Sequence, residues 1–571
     1  MMNFESNLKE LRNFLDTINA DAILVAMNNF FGNFKSDLSG IRYISGFSGS
    51  NGRAVVSKVK ALLSVDGRYT KQASEQTNNN IWTIEKYPEF DTIKMIENIM
   101  DSGQTLAIAP FSITYKSYLK VLKTAKSKNL KLKIIDNYPL KSFELSNEKI
   151  YLVGIECMGE TRESRINKIK NTLNEGEALL LTDSAAIGWI FGVRISPTED
   201  KCVLPNCVAF IEKKRKPVLF SDLDLSAKTE DFEYFNIKDF EKVISSKEKT
   251  IVNVDFSRTS LYFVKTFEDN GFEIKSSPVN YGLFESRKNK TEIENLKIAS
   301  KKASLSFIKT LAFVENIDNT TEIEVAEFFE NDLKNYDNFI SLSFNSISSF
   351  GKNTSIVHYN PKVCGNAEVN CDGLFLLDAG AHFSNSTTDM TRTIYRGKNP
   401  KEELKIIYSA VLRSVIIFSS MRFPNASKAC YLDSIARFFI WNKGYDYHFG
   451  TGHGIGSFGN VHEHPRISPT SLEEIMKDMV LTIEPGIYRE DFGIRLENML
   501  LTKDSNKQGF VEFETLNYIP FCRKLIIKEM FSNFELEWLN RYHQKVYETF
   551  ANDLKNDELT LNWLKENTRE I

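Results

Sequence analysis

The chain has 571 residues, with 72 Lys+Arg set against 75 Asp+Glu for a net charge of −3. Such a length implies about three or four domains, with cores large enough to hold without disulfides or a structural metal. The balanced charge excludes a dedicated nucleic-acid binder, and no run approaches the ~18 uninterrupted apolar residues that a membrane span needs.

The N-terminus, MMNFESNLKELRNFLDTINADAILV, has no apolar core of the secretory type and reads as an amphipathic helix running into a strand. Residues 9–56 and 165–211 look like two copies of one plan. KELRNFLDTINADAILV and IRYISGFSGSNGRAVV answer to SRINKIKNTLNEGEALLLTD, IGWIFGVRISP and CVAFI. Each copy offers a helix, a polar break, an apolar strand, a loop and an aromatic-rich segment. Further strands follow, KALLSVDGRY and TLAIAP in the first copy, KPVLFSD and TIVNVDF in the second. Duplicated α/β domains fit this better than a solenoid, whose period is far shorter. Thr291 followed by Glu294 predicts a capping box that opens a third region. The expected fold class is therefore α/β (α+β), with α/β domains at 1–155 and 156–284 and a catalytic domain at 285–571. The seven cysteines are scattered, and Cys202 and Cys207 lack a second pair at zinc-site distance. They read as reduced thiols of a cytoplasmic protein.

The third region carries the chemistry. The chain has seven histidines, and all but His543 fall between 358 and 464: His358, His382, His448, His453, His462 and His464. LFLLDAGAHF is an apolar strand ending in Asp378, and STTDMTRTI carries Asp389 into another strand eleven residues later. Two consecutive strands can form a hairpin that brings both acids together. FGTGHGIG sets His453 between glycines, MVLTIEPGIY ends a strand at Glu484, and FGIRLENMLL places Glu497 in the next strand, with Arg495 on the same face. Four crowded carboxylates repel one another unless cations are present. Two divalent cations match four carboxylates, the count of a two-metal hydrolase. The oxygen-rich set favours Mn²⁺, with Co²⁺ and Zn²⁺ open.

At these residues the chain resembles the pita-bread metallopeptidases, the family of methionine aminopeptidase, prolidase and aminopeptidase P. The eleven-residue Asp spacing, the Gly-His-Gly turn, Glu484 before Pro-Gly and the run Ile-Arg-Leu-Glu-Asn carry that resemblance. ISGFSGSNG, VDGRYTKQA, SLSFNSISSFGKNTSIVHYNP, VHEHP and the tail from LNYIPF to LNWLKENTREI are similar to the three-domain, cytosolic aminopeptidase P branch. The resemblance implies creatinase-like N-terminal domains before a pita-bread domain. It also implies a homodimer and a metalloaminopeptidase that removes an N-terminal residue when proline is next. Asp378, Asp389, His453, Glu484 and Glu497 would hold two metals and their shared hydroxide. His358 and His462 would face the substrate, Glu484 would shuttle a proton, and Arg495 would serve the substrate side or orient an acid. The alternatives are a prolidase acting on Xaa-Pro dipeptides, or a non-catalytic binding module of the same fold.

This chain departs from the pattern in places. The first histidine of the relatives' His-Gly-Thr-Gly-His-Gly is Phe449 here, His382 stands where relatives have Gln, and GVRISPTEDKCVLPNC replaces an Asn-Leu-Arg-Gly type run. His382 reads as structural.

Overall fold

The computed structural model describes residues 4–27, 40–135, 148–277 and 279–571. Its contacts divide the chain into two compact units, one of Met1–Val153, Glu160–Ser196 and Leu204–Asn280, the other of Gly154–Gly159, Pro197–Val203 and Tyr281–Ile571.

The first unit holds two six-stranded sheets with the same plan. In the first sheet Ala22–Ala26 is central, antiparallel to Arg53–Ser57 on one side and parallel to Thr105–Ile108 on the other. In the second, Glu177–Leu181 holds that place between Cys207–Glu212 and Ile251–Val254, again antiparallel and parallel. The duplication legible in the sequence is thus a duplication of strand order. The helix Phe4–Thr17 lays Leu8, Leu11 and Leu15 on the core, the spacing of one helical face; Met1 to Asn3 of the expected helix lie outside the described residues. Backbone bonds from Tyr115 to Thr259 (2.9 Å), Lys116 to Phe256 (2.8 Å) and Leu261 to Ile113 (2.9 Å) join the two halves.

The longest helix of the second unit among the described residues is Lys290–Asn316. Its capping box is formed by Asn289 and Glu292, not by Thr291 and Glu294. Asn289 is extended (φ −78°, ψ 174°), so its side chain reaches the Glu292 amide while Thr291 already lies in the first turn. Strand Gly373–Asp378 lies between Ile347–Phe350 and Thr391–Arg396, buried along nearly its whole length. A six-stranded sheet runs Arg422–Pro424, Phe510–Thr515, Asn498–Asp504, Val480–Ile483, Gly452–Gly454, Glu463–Ile467. Helices Glu402–Ser420 and Ala429–Trp441 pack into the same hydrophobic core as the tail helices Asn533–Phe550 and Glu558–Asn567.

Arg392 fastens this tail. It is fully buried, and its guanidinium donates to the carbonyls of Thr391, Glu497 and Ile519, to Asn498 Oδ1 and to the Tyr542 hydroxyl. The neighbouring His543 accepts from the Phe521 amide through Nε2. Burial, then the charges of Arg523 and Arg392, hold its pKa down to about 3. The unfolded chain binds this proton below about pH 6.5 while the folded chain refuses it, so the folded state loses stability as pH falls below that value. Relative to His543→Gln, which does not titrate there, the wild type is expected to lose about 2 kcal/mol in urea unfolding between pH 7.5 and pH 5.

Candidate metal centre

Three structural pieces converge on one buried cluster. Asp378 ends the central strand Gly373–Asp378, in register with Ile347 on one side and Thr391 on the other. Asp389 precedes strand Thr391–Arg396. These two strands pair antiparallel, but the chain between them is not a tight hairpin: Ala381–Phe383 and Ser386–Thr387 pair with each other, and the former also pairs with Phe339–Leu342. His453 lies in Gly452–Gly454, Glu484 follows Val480–Ile483, and Glu497 sits in the two-residue break between Gly493–Arg495 and Asn498–Asp504. That break differs from the continuous strand expected. It lets the Glu497 amide bond to Thr391 O (3.0 Å) while its carboxylate takes the Thr391 hydroxyl (2.8 Å).

The ligand atoms of Asp389, His453 and Glu497 lie within 4.8 Å of one another. His453 Nε2 stands 3.6 Å from Asp389 Oδ2 and 3.6 Å from Glu484 Oε1. Its Nδ1 faces Gly454 O at 3.0 Å. A carbonyl only accepts, so the proton sits on Nδ1 and the Nε2 lone pair points toward the acids. Asp378 Oδ2 accepts from Arg495 Nη2.

Three oxygens in this cluster, Asp378 Oδ1, Asp389 Oδ1 and Glu497 Oε1, are buried with no donor among the described residues. An unsatisfied buried carboxylate oxygen is costly. Burial first, then the charges of neighbouring acids, pushes the carboxyls of Asp389 and Glu497 well above the ordinary range. Burial works against the Arg495 charge, yet Asp378, Glu484 and Glu497 carry its pKa above the usual value. One guanidinium cannot balance four carboxylates. Hard oxygen donors, an oriented imidazole and orphaned oxygens together fit divalent cations.

The surrounding loops are fixed by buried polar groups. Glu322, fully buried, accepts from Phe350 N (2.6 Å), Ala367 N (2.8 Å), Asn353 Nδ2 (3.0 Å) and the Tyr359 hydroxyl (2.7 Å). It thereby frames the loop that carries the half-buried His358. Arg437 pairs with Asp433 (2.8 Å) and donates to the carbonyls of Tyr447 (2.6 Å) and Phe449 (2.7 Å). Asp433 also takes the Thr451 hydroxyl (2.6 Å), and Thr451 O takes the Glu484 amide (2.8 Å). Phe449 packs on Tyr447 and edge-on to Tyr488, whose hydroxyl contacts Arg495 Nη1. The His462 ring is 4.3 Å from that of His453.

The model for metallopeptidase family M24 matches residues 294–504, that for the C-terminal region of peptidase M24 matches 509–571, and that for the creatinase/prolidase N-terminal domain matches 7–137. The probable Xaa-Pro aminopeptidase P of Arthroderma otae is 31% identical over 93% of this chain and 86% of its own length. The chain belongs to metallopeptidase family M24. The probable Xaa-Pro aminopeptidase P of Paracoccidioides brasiliensis is 29% identical over 99% of this chain and 98% of its own length. The crystal structure of an X-prolyl aminopeptidase from Caenorhabditis elegans, described as cytosolic with a di-nuclear active site, superposes with a TM-score of 0.92 at 26% identity and covers 100% of both chains. The M24 chain is thus a hydrolase with the fold expected of it, creatinase-type N-terminal sheets ahead of a pita-bread domain.

The M24 cluster brings Asp389, His453 and Glu497 into one group, with Asp378 and Glu484 beside it. Arg495, expected either on the substrate side or orienting an acid, is 2% exposed, and its nitrogens face Thr391, Tyr488, Val357 O and Asp378, an arrangement of the second kind. The supports Glu322, Arg392 and the Asp433–Arg437 pair escape sequence reasoning. The one signal for them is the charged i,i+4 pair on an otherwise apolar helix.

Removing one of the crowded charges stabilises a site of this kind while spoiling it. In chelator, Asp389→Asn is expected to unfold at higher denaturant than the wild type, a gain of about 1 kcal/mol. On adding Mn²⁺ only the wild type gains further, which thermal shift with and without metal will show.

Proposed function

We propose that this chain is an Xaa-Pro aminopeptidase, hydrolysing the bond between an N-terminal residue and a following proline. The observation that carries the reading is the match, over 100% of both chains, to a structure described as an X-prolyl aminopeptidase. The donor-poor carboxylate cluster supports it at the site.

Asp378, Asp389, His453, Glu484 and Glu497 hold two divalent cations, with Mn²⁺ the first choice for this oxygen-rich set. When bound, the cations polarise the scissile carbonyl and bring the pKa of the attacking water into the neutral range. Glu484 is less buried than the other acids. It takes the proton from the water and delivers it to the departing proline nitrogen. That nitrogen belongs to a tertiary amide and must be protonated to leave. His358 and His462 donate to the developing oxyanion or line the proline pocket. Arg495 holds Asp378 in place by a direct bond.

The same reading makes the enzyme a cytoplasmic homodimer. Among the described residues no helix is long and apolar enough to cross a membrane. Helix Ala429–Trp441 leaves Tyr431, Ile435, Phe438 and Trp441 exposed at helical spacing, an apolar stripe that suits a second copy of the chain.

With Mn²⁺, the protein is expected to cleave Arg-Pro-Pro and to leave Arg-Ala-Ala and Met-Ala-Ser intact. Glu484→Ala should lower turnover by at least about a thousandfold with the fold preserved. Cleavage of Arg-Pro alone would move the reading to a dipeptidase, and near-normal turnover by Glu484→Ala would defeat the proton route. Light scattering of Trp441→Glu should report the mass of one chain where the wild type reports two.

A further inference from the structure

His382 lies outside the metal cluster and is 1% exposed. Its Nε2 stands 2.9 Å from the carbonyl of Lys201 and its Nδ1 3.0 Å from the Thr387 hydroxyl. A carbonyl only accepts, so Nε2 carries the proton and Nδ1 accepts from Thr387. The same Thr387 oxygen receives the Gly459 amide at 3.1 Å and lies 3.3 Å from the Gly459 carbonyl. One imidazole and one hydroxyl therefore tie two irregular segments together. The first is Pro197–Val203, which belongs to the same compact unit as the site. The second is the loop 455–462, which ends in His462.

Both segments carry backbone that side-chain-bearing residues rarely adopt. Lys201 has φ 62° and Phe458 has φ 50°. Phe458 is buried, and its ring stands edge-on to that of His382 at 6.2 Å. Left-handed backbone in bulky residues persists only where neighbours over-determine it. Here the shared neighbour of both strained residues is His382. The loop's other end is held independently. Gly454 pairs with Glu463, and the Glu463 carboxylate takes the Asn460 amide at 3.0 Å and faces Lys288 Nζ at 3.6 Å. A Cβ on Gly456 or Gly459 would come within 2.3 or 2.4 Å of that same carboxylate oxygen. With one end of the loop locked on Glu463, the place of His462 is set by what fixes the middle, Phe458 and Gly459.

We propose that His382 is a positioning residue for the reaction: through Thr387 and Gly459 it sets where the His462 imidazole stands, and through Lys201 it holds the segment Pro197–Val203 against the same loop. The proposal rests on the substrate-side role given to His462 above. It replaces the purely structural reading of His382. Gln can reproduce both bonds, its amide N–H₂ toward Lys201 O and its carbonyl toward Thr387, whereas Leu fills the space and makes neither.

The test is a mutant cycle on the Mn²⁺-loaded enzyme with Arg-Pro-Pro, together with hydrogen exchange on the metal-free protein. His382→Leu is expected to lower kcat 10–100-fold with KM and metal content little changed, and His382→Gln to stay within threefold of the wild type. His462→Ala, costly alone, should add less than threefold on the His382→Leu background, because a residue acting through another gives non-additive losses. In exchange, amides of 456–462 and 197–203 should open faster in His382→Leu and return to wild-type protection in His382→Gln. If His382→Leu does not fold, Thr387→Val takes its place, with the same kcat loss and the same faster exchange expected. Fully additive losses, unchanged exchange, or a leucine variant within twofold of the wild type would overturn the proposal. A wild type inactive on every Xaa-Pro peptide defeats the functional reading instead, and the exchange measurement still decides whether His382 clamps the two segments.

Discussion

Four carboxylates share one interior space with a single guanidinium in contact, and three of their oxygens have no donor among the described residues. Left to themselves, the acids oppose that arrangement. Water would solvate the acids better, and mutual repulsion drives them apart. The framework must therefore impose it. Asp378 is fixed because its strand is central and buried. Glu497 is fixed because its amide and its carboxylate both bind Thr391, its amide to the carbonyl and its carboxylate to the hydroxyl. His453 and Glu484 come from adjacent strands of one sheet, each with its own amide tied down, to Thr482 Oγ1 and Thr451 O.

The two buried arginines near this cluster divide the work. Arg495 touches Asp378 and offsets part of the negative charge. Arg392 spends every donor on carbonyls, one amide oxygen and one hydroxyl, and on no carboxylate. Had it turned to the acids, it would have neutralised the cluster that needs to attract cations. By gripping Glu497 O and Ile519 O at once, it makes the C-terminal tail part of the wall behind the carboxylate cluster. The tail is thus continuous with the site in mechanical terms, although none of its residues reaches the ligand atoms.

Much of this was legible in the sequence, for identifiable reasons. Acids at strand ends announce themselves, because an apolar run stops at a carboxylate: LFLLD and VLTIE are readable by eye. The duplicated sheets show because each copy repeats helix, break and strand in order. What was not legible depends on partners distant in sequence. The antiparallel pairing of the strands around Asp378 and Asp389 follows the expectation, but the excursion between them does not show in eleven residues: Ala381–Phe383 and Ser386–Thr387 pair with each other, and the former also pairs with Phe339–Leu342. The cap at Asn289 beat Thr291 because backbone entry geometry, not residue type, decides which of two good capping residues is used. For Arg495 the sequence leaves two places open, beside the substrate or beside an acid, and spacing alone does not choose between them. Its burial and its bond to Asp378 emerge only once Tyr488 and Thr391 are brought alongside.

The aromatic at position 449 shows how such a site tolerates change. Arg437 grips the carbonyls of Tyr447 and Phe449, and Asp433 grips the Thr451 hydroxyl, so the backbone of this turn is held without reference to the side chain at 449. The glycines of the turn leave no space for alternative packing: a Cβ on Gly452 would meet Thr482 O at 2.0 Å and one on Gly454 would meet His464 O at 1.9 Å. The place of His453 is therefore set without the side chain at 449. What changes is the wall, now a continuous aromatic surface of Tyr447, Phe449 and Tyr488 that reaches Arg495 through the Tyr488 hydroxyl. The place of the His453 backbone and the character of the aromatic wall are separable here, because one is fixed by main-chain bonds and the other by side chains.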